Sequence, residues 1–166
     1  LGYAILKAQR YMHTDKIFAG ILLIGITLGT FSLSEVAERA PELLASPLAV
    51  PAMILIMLGA FTKSAQLPFH FWLPQAMEAP APASAFLHSA TMVKLGVYLL
   101  ARFDLVFGGI PAFGTTLVIV GSLTMLVAAV RALSTDGFKE VLAHSTVGSL
   151  GVLVMLIGLD GDYSVT

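Results

Sequence analysis

The chain has 166 residues, 57% hydrophobic and 11% charged, with a net charge of −1 and a mean hydropathy of +0.90. A soluble domain carries about a quarter charged residues, so 9 basic and 10 acidic side chains are too few to cover a water-exposed surface of this size. The near-neutral balance excludes a nucleic-acid binder, which needs a basic face. The absence of cysteine excludes disulfides, thiolate metal sites, iron–sulfur clusters and a cysteine nucleophile, which leaves a membrane protein.

A transmembrane helix takes about 20 mainly apolar residues, and five stretches predict one. Residues 17–33 carry no charge. Ser34, followed by Glu35, Glu38 and Arg39, then predicts a capped interfacial helix that Pro41 stops. Pro47 and Pro51 open a second span, where missing N–H groups cost little. That span covers 48–74 and is broken, because Lys63 is followed by Pro68. A third span covers 80–101 and contains His88 and Lys94. After Gly108-Gly109-Ile110-Pro111, a loop, the fourth span covers 112–133 and the fifth 137–159, with Lys139, Glu140 and His144 in its first half.

No signal peptide is visible, and five spans are few for a self-contained transporter core. The chain therefore reads as an internal slice of a longer polytopic protein. Five crossings put Lys7, Arg10, Lys16, Arg131 and Lys139 at one side and Arg39 and Arg102 at the other. The basic excess makes the first side cytoplasmic.

Ionisable residues within spans are costly and usually face a partner or a water-filled cavity. Lys63 either snorkels from a helix end or serves a broken helix that lines water. The apolar residues that continue past it favour the second reading. His88 is either an interhelical hydrogen-bonding residue or a proton carrier, since imidazole can take a proton on one nitrogen and release one from the other. Lys94 lies about 9 Å and 600° further along the same helix, on a different face, too deep for easy snorkelling. Lys139 is an interfacial anchor or a relay member. His70 and Glu78 lie around the short connector 68–80; solvated loop positions are open to both, and that reading is favoured for Glu78. His70, His88 and His144 are formally capable of ligating haem, but nothing in their spacing demands it. No motif for a nucleotide, quinone, flavin or metal is present, and no cofactor is expected.

The run Gly59-Ala60-Phe61-Thr62-Lys63-Ser64-Ala65-Gln66-Leu67-Pro68-Phe69-His70-Phe71-Trp72-Leu73-Pro74 is specific. It continues through Met77-Glu78-Ala79-Pro80 to Phe86-Leu87-His88-Ser89-Ala90-Thr91-Met92-Val93-Lys94. It strongly resembles the antiporter-like proton-translocating membrane subunits, a family that includes the large A-type subunit of Mrp-type sodium/proton antiporters and the homologous subunits of respiratory complex I. A weaker match, Lys139-Glu140-Val141-Leu142-Ala143-His144-Ser145-Thr146, resembles the family's lysine-led LAYST helix start. The resemblance implies an all-α polytopic fold, with this chain as about the sixth to tenth helices of a fourteen-helix core and a discontinuous helix near residues 63–74. It implies that Lys63, His88, Lys94 and Lys139 relay protons, that Pro68 marks the helix break, and that a glutamate outside the chain faces Lys63.

The chain departs from the family pattern at Ala81 (usually Thr), Gly137 (usually Asp), His144 (usually Tyr) and Gly148-Ser149 (usually Ser-Gln). Its details look most like the A-type Mrp antiporter component. The expected function is therefore a non-enzymatic one: a proton-translocating subunit of a multisubunit Na+/H+ antiporter in a prokaryotic plasma membrane. The expected partners are other subunits, the lipid bilayer, H+ and Na+. The alternative is the pumping subunit of a complex I-type NADH-quinone oxidoreductase, and a passive scaffold or haem anchor is the third reading.

Overall fold

The computed structural model describes residues 14–76 and 92–163. Lys7, Arg10, Glu78, Ala81 and His88 lie outside them. Among the described residues the regular elements are helical, without a strand: α1 (Thr14–Leu28), α2 (Leu33–Glu38), α3 (Ala40–Ala45), α4 (Ala49–Lys63), a 3-10 turn (Phe69–Phe71), α5 (Trp72–Ala76), α6 (Met92–Phe107), α7 (Pro111–Leu133) and α8 (Phe138–Tyr163).

The boundaries follow local chemistry. α1 stops at Leu28 because Gly29 adopts φ +72° and donates back to the Gly25 carbonyl at 2.8 Å, a left-handed helix end that glycine adopts without penalty. The polar stretch after it forms two short helices where one was expected. Ser32, not Ser34, precedes α2, and Pro41 opens α3 instead of stopping the segment, in keeping with proline's fit to a first helical turn. Arg39 ties this excursion to α1. It donates to the Leu28 carbonyl at 2.7 Å and to Glu42 Oε2 from two nitrogens, and Glu42 holds the Arg39 guanidinium above its ordinary pKa. α6 continues six residues past the expected end at Ala101, to Phe107, where Phe103 stacks on Phe107 at 6.0 Å and Phe107 meets Phe113 of α7 at a tilt, 6.1 Å between ring centres.

The helices pack through small residues. Gly20 lies against Ala52 and Ile56 while Gly59 lies against Ile17, so α1 and α4 run antiparallel. α7 and α8 meet backbone to backbone. A Cβ placed on Gly121 would stand 2.6 Å from the Gly151 carbonyl oxygen, and one on Gly151 would stand 2.8 Å from that of Gly121. Such small-residue seams let helices touch where no hydrophobic drive exists between them. Outward faces are apolar: Phe18, Leu22 and Ile26 on α1, and Ile119, Leu123, Leu126 and Val130 on α7, are all more than half exposed. A surface of that kind belongs in lipid or against neighbouring helices. Pro111–Leu133 and Phe138–Leu159 are long and apolar enough to cross a membrane.

Contacts sort the bundle into two ends. Leu44 of α3 touches Gly109, so Arg39, Arg102 and the α6–α7 turn share one end. Lys16 beside Ile17, and Arg131 with Lys139 at the α7–α8 turn, belong to the other. The Gly121–Gly151 seam is checked by Gly121→Val in the full-length protein. Forcing a branched side chain into backbone contact is expected to destabilise it by about 1–3 kcal/mol, read as a lower thermal unfolding midpoint in detergent. Gly109→Ala, which meets only the Leu44 side chain at 3.7 Å, is expected to leave that midpoint in place.

Candidate functional site

α4 is an apolar helix that stops inside the bundle. Its last residue is Lys63, and the stop is made at Ala65, a non-glycine residue at φ +50°. The Gln66 N–H reaches back to the Phe61 carbonyl at 2.9 Å, the six-to-one bond of a Schellman end. Pro68, joined to Leu67 by a cis peptide, therefore follows the helix end rather than making it. Left-handed backbone in alanine costs of order 1–3 kcal/mol and persists only where surroundings enforce it.

Those surroundings account for the carbonyls a helix end leaves open. The Ala60 carbonyl accepts from the Ser64 N–H and hydroxyl at 2.9 and 2.8 Å. The Thr62 carbonyl accepts from the Trp72 indole N–H at 2.9 Å, which folds the 3-10 turn and α5 back under α4. The Ser64 carbonyl accepts from the Gln66 amide at 3.1 Å. The Leu67 N–H donates to the Thr124 hydroxyl at 3.0 Å, and that hydroxyl donates to the Val120 carbonyl. Thr62, Ser64, Ala65 and Gln66 are completely buried.

Thr124 lies two residues past the middle of the 23-residue α7, so the break stands near the mid-depth of a helix long enough to span a bilayer. Lys63 is half-buried one turn before it. α6 seals the other side. A Cβ on Gly96 would stand 2.5 Å from the Ala60 carbonyl oxygen and 2.8 Å from the Ser64 nitrogen, so the backbones of α6 and α4 touch at the break. Ala128 of α7 and Ala143, Val147 and Leu150 of α8 pack on Ala65, Trp72 and Leu73.

The expected relay residues are spread around this junction. Lys94 is exposed and stands two residues before Gly96, about 200° around the helix, so it points away from α4. Lys139 is exposed in the first turn of α8. His88 lies outside the described residues. His144, which the sequence places in the fifth span without a role in the relay, is buried on α8 beside the break. His70, on the connector after the break, is partly buried with Arg131 and His144 in electrostatic range. Thr124, Ala65 and Gly96 are not legible in the sequence as site residues, although a threonine within an apolar span is a visible cue. Removing the indole donor by Trp72→Phe leaves the Thr62 carbonyl unpaired. The expected cost is about 1–3 kcal/mol, with faster amide hydrogen exchange at residues 64–67 as the direct readout.

The family model described as "NADH:quinone oxidoreductase/Mrp antiporter, TM" matches residues 11–166. The chain is 46% identical over 148 residues to a protein named as antiporter subunit mnhA2 from Staphylococcus saprophyticus, with 89% of this chain and 18% of that protein covered. It is likewise 46% identical over 144 residues to the A1 subunit of a Na(+)/H(+) antiporter from Staphylococcus aureus strain JH9, with 87% and 18% covered. The solved Mrp complex from Dietzia sp. DQ12-45-1b superposes with a TM-score of 0.87 at 38% identity, over 94% of this chain and 18% of that one. The chain thus spans about a fifth of the length of these relatives. A broken apolar helix, lipid-compatible outer faces and these matches together make it a membrane protein, and it belongs to the NADH:quinone oxidoreductase/Mrp antiporter transmembrane family.

Proposed function

We propose that this chain is part of the proton-translocating subunit of a multisubunit monovalent cation/proton antiporter, a transporter rather than an enzyme, which exchanges Na+ for H+ across a prokaryotic plasma membrane. The observation that carries the reading is Lys63 at the end of an apolar helix that stops at mid-depth with its backbone groups held by Thr124, Trp72 and Gln66. Irregular backbone at such depth is tolerated only inside protein or beside a water-filled cavity, and an ionisable group there marks an ion or proton path. The names and fold of the relatives support the same class.

The chain's place in the parent is that of the sixth to tenth helices of a fourteen-helix core, with crossings near 17–33, 48–74, 80–101, 112–133 and 137–159. Lys16, Arg131 and Lys139 share one end of the bundle, and the basic excess assigns that end to the cytoplasm.

The break supplies the physics of a switch. A carboxylate from the parent chain near Lys63 favours its ammonium, and separation of the two leaves an amine in a desolvated site that favours release of the proton. Ser64, at the same turn, holds its hydroxyl on a backbone carbonyl and is placed to exchange that bond with water. The proton then passes by water through His88 to Lys94 and on to Lys139. Because Lys94 faces away from α4, this route runs around α6 and requires water or neighbouring parent helices on its outer face.

Everted vesicles holding the full-length parent complex test this. After respiration acidifies the lumen, added sodium should collapse the gradient, followed with a fluorescent pH-gradient dye. Lys63→Ala, with assembly intact, is expected to cut the sodium-driven flux by about tenfold or more. An assembled variant with wild-type flux contradicts the proposal. No sodium response, with NADH-driven acidification that depends on the complex, moves the chain to a redox-driven pump.

A further inference from the structure

Among the described residues, three buried side-chain atoms have no hydrogen-bond partner: Gln66 Oε1, His70 Nδ1 and His144 Nδ1. They cluster in the fold. Gln66 and His70 belong to the broken segment after α4. His144 lies on α8 next to Ala143 and one turn before Val147, both of which pack on Ala65, Trp72 and Leu73 of that segment. His144 is only 8% exposed, and it and His70 are within electrostatic range of one another. Gln66 already uses its amide nitrogen on the Ser64 carbonyl, which leaves its oxygen facing the same junction.

Buried polar atoms seldom go unpaired, and atoms that protein does not satisfy are ordinarily bridged by ordered water making about three hydrogen bonds. A histidine serving only to tie two helices together would spend its ring nitrogens on the neighbouring helix. The Nδ1 of His144 makes no such bond.

We propose that His70 and His144 form a water-bridged pair that carries protons between the break in α4 and the N-terminal half of α8. This rests on the proton-relay reading above and adds to it a step between elements that Lys94, on the outer face of α6, does not connect. The transfer balances simply. A neutral His70 that carries its proton on Nδ1 takes a second proton on Nε2, the imidazolium gives its Nδ1 proton to the bridging water, and that water gives one of its own protons to His144 Nδ1; His70 is left as the Nε2–H tautomer and regains the starting one by proton exchange with water before the next transfer. Arg131 from α7 acts on both rings and Glu140 acts on His144 from one turn earlier on α8. Lys63 closes α4 before the break, and Lys94 and Arg102 are exposed cations of α6.

The test uses the full-length parent complex in everted vesicles, with assembly checked by native electrophoresis and sodium-driven proton flux followed between about pH 5 and 8, the range in which imidazole titrates. His144→Gln and His144→Asn both keep polarity and hydrogen-bonding capacity without titrating. Each assembled variant is expected to lose about tenfold or more of the flux together with the limb of the pH profile that imidazole titration imposes. His70→Gln should behave alike, and the double variant should be no slower than the slower single one, because the two groups act as one unit. Wild-type flux with an unchanged pH profile in an assembled His144 variant overturns the proposal, as does a double-variant loss equal to the product of the single losses. Failure of both His144 variants to assemble assigns the residue to packing and overturns it as well. Lys63→Ala in parallel separates the two claims. If it abolishes flux while the His144 variants transport normally, only the pair falls; if it transports normally, the relay reading itself falls.

Discussion

A helix that ends inside a bundle must find partners for its last carbonyl groups, and here that requirement shapes everything around residue 63. Hydrogen bonds from Ser64, Gln66 and Trp72 cover the carbonyls of Ala60, Phe61 and Thr62. Thr124, from a helix 57 positions away in sequence, takes the Leu67 N–H. Each partner belongs to a different local device: a hydroxyl folded onto its own helix, a Schellman end, an indole returned by a 3-10 turn, and a threonine on α7. In hydrocarbon an unpaired backbone group costs several kcal/mol, so the four devices stand or fall together. They also fix the backbone at the lysine that ends α4, which is half-buried next to Thr62, Ser64 and Gln66 in an otherwise apolar bundle.

Packing serves that pocket. Gly96 brings the backbone of α6 onto Ala60 and Ser64, and the Gly121–Gly151 seam brings α8 close enough to α7 for both to wall the break. Without those glycines α7 and α8 would stand further apart, and Ala128, Ala143 and Val147 would lose contact with Trp72 and Leu73. The outward faces of α1, α7 and α8 carry leucine, isoleucine and phenylalanine at helical spacing, which suits contact with lipid or with other helices.

Much of this is legible in the sequence. The apolar lengths locate α1, α4, α7 and α8, because periodicity and hydropathy are local properties. The run from Gly59 to Lys94 identifies the family, and Lys63 before Pro68 flags a break. What stays hidden is how the break is made. A left-handed alanine carries no sequence signature, since glycine or asparagine is the usual signal, and the Leu67–Thr124 bond joins residues that only the tertiary fold brings together. The two short helices after α1 merge into one on paper for a related reason: Pro41 stops a helix that precedes it and starts one that follows, and sequence alone does not say which. The role of His144 stays open in the sequence because one residue on an apolar helix does not reveal which neighbour it faces; the contacts of Ala143 and Val147 do.

If the break is a wet, polar junction at mid-depth, small polar reagents should reach it, and site-directed thiol labelling tests this most directly because the chain contributes no cysteine of its own. Gln66→Cys and Leu123→Cys would be compared in the full-length complex in vesicles, each exposed to a small, membrane-impermeant thiosulfonate reagent. The two sites lie at the same depth, since Leu67 bonds to Thr124, but Leu123 faces outward. A wet break predicts labelling at position 66 with none at position 123. Equal protection of both sites, in a complex that still assembles and transports, would mean a dry break and contradict a proton path through it.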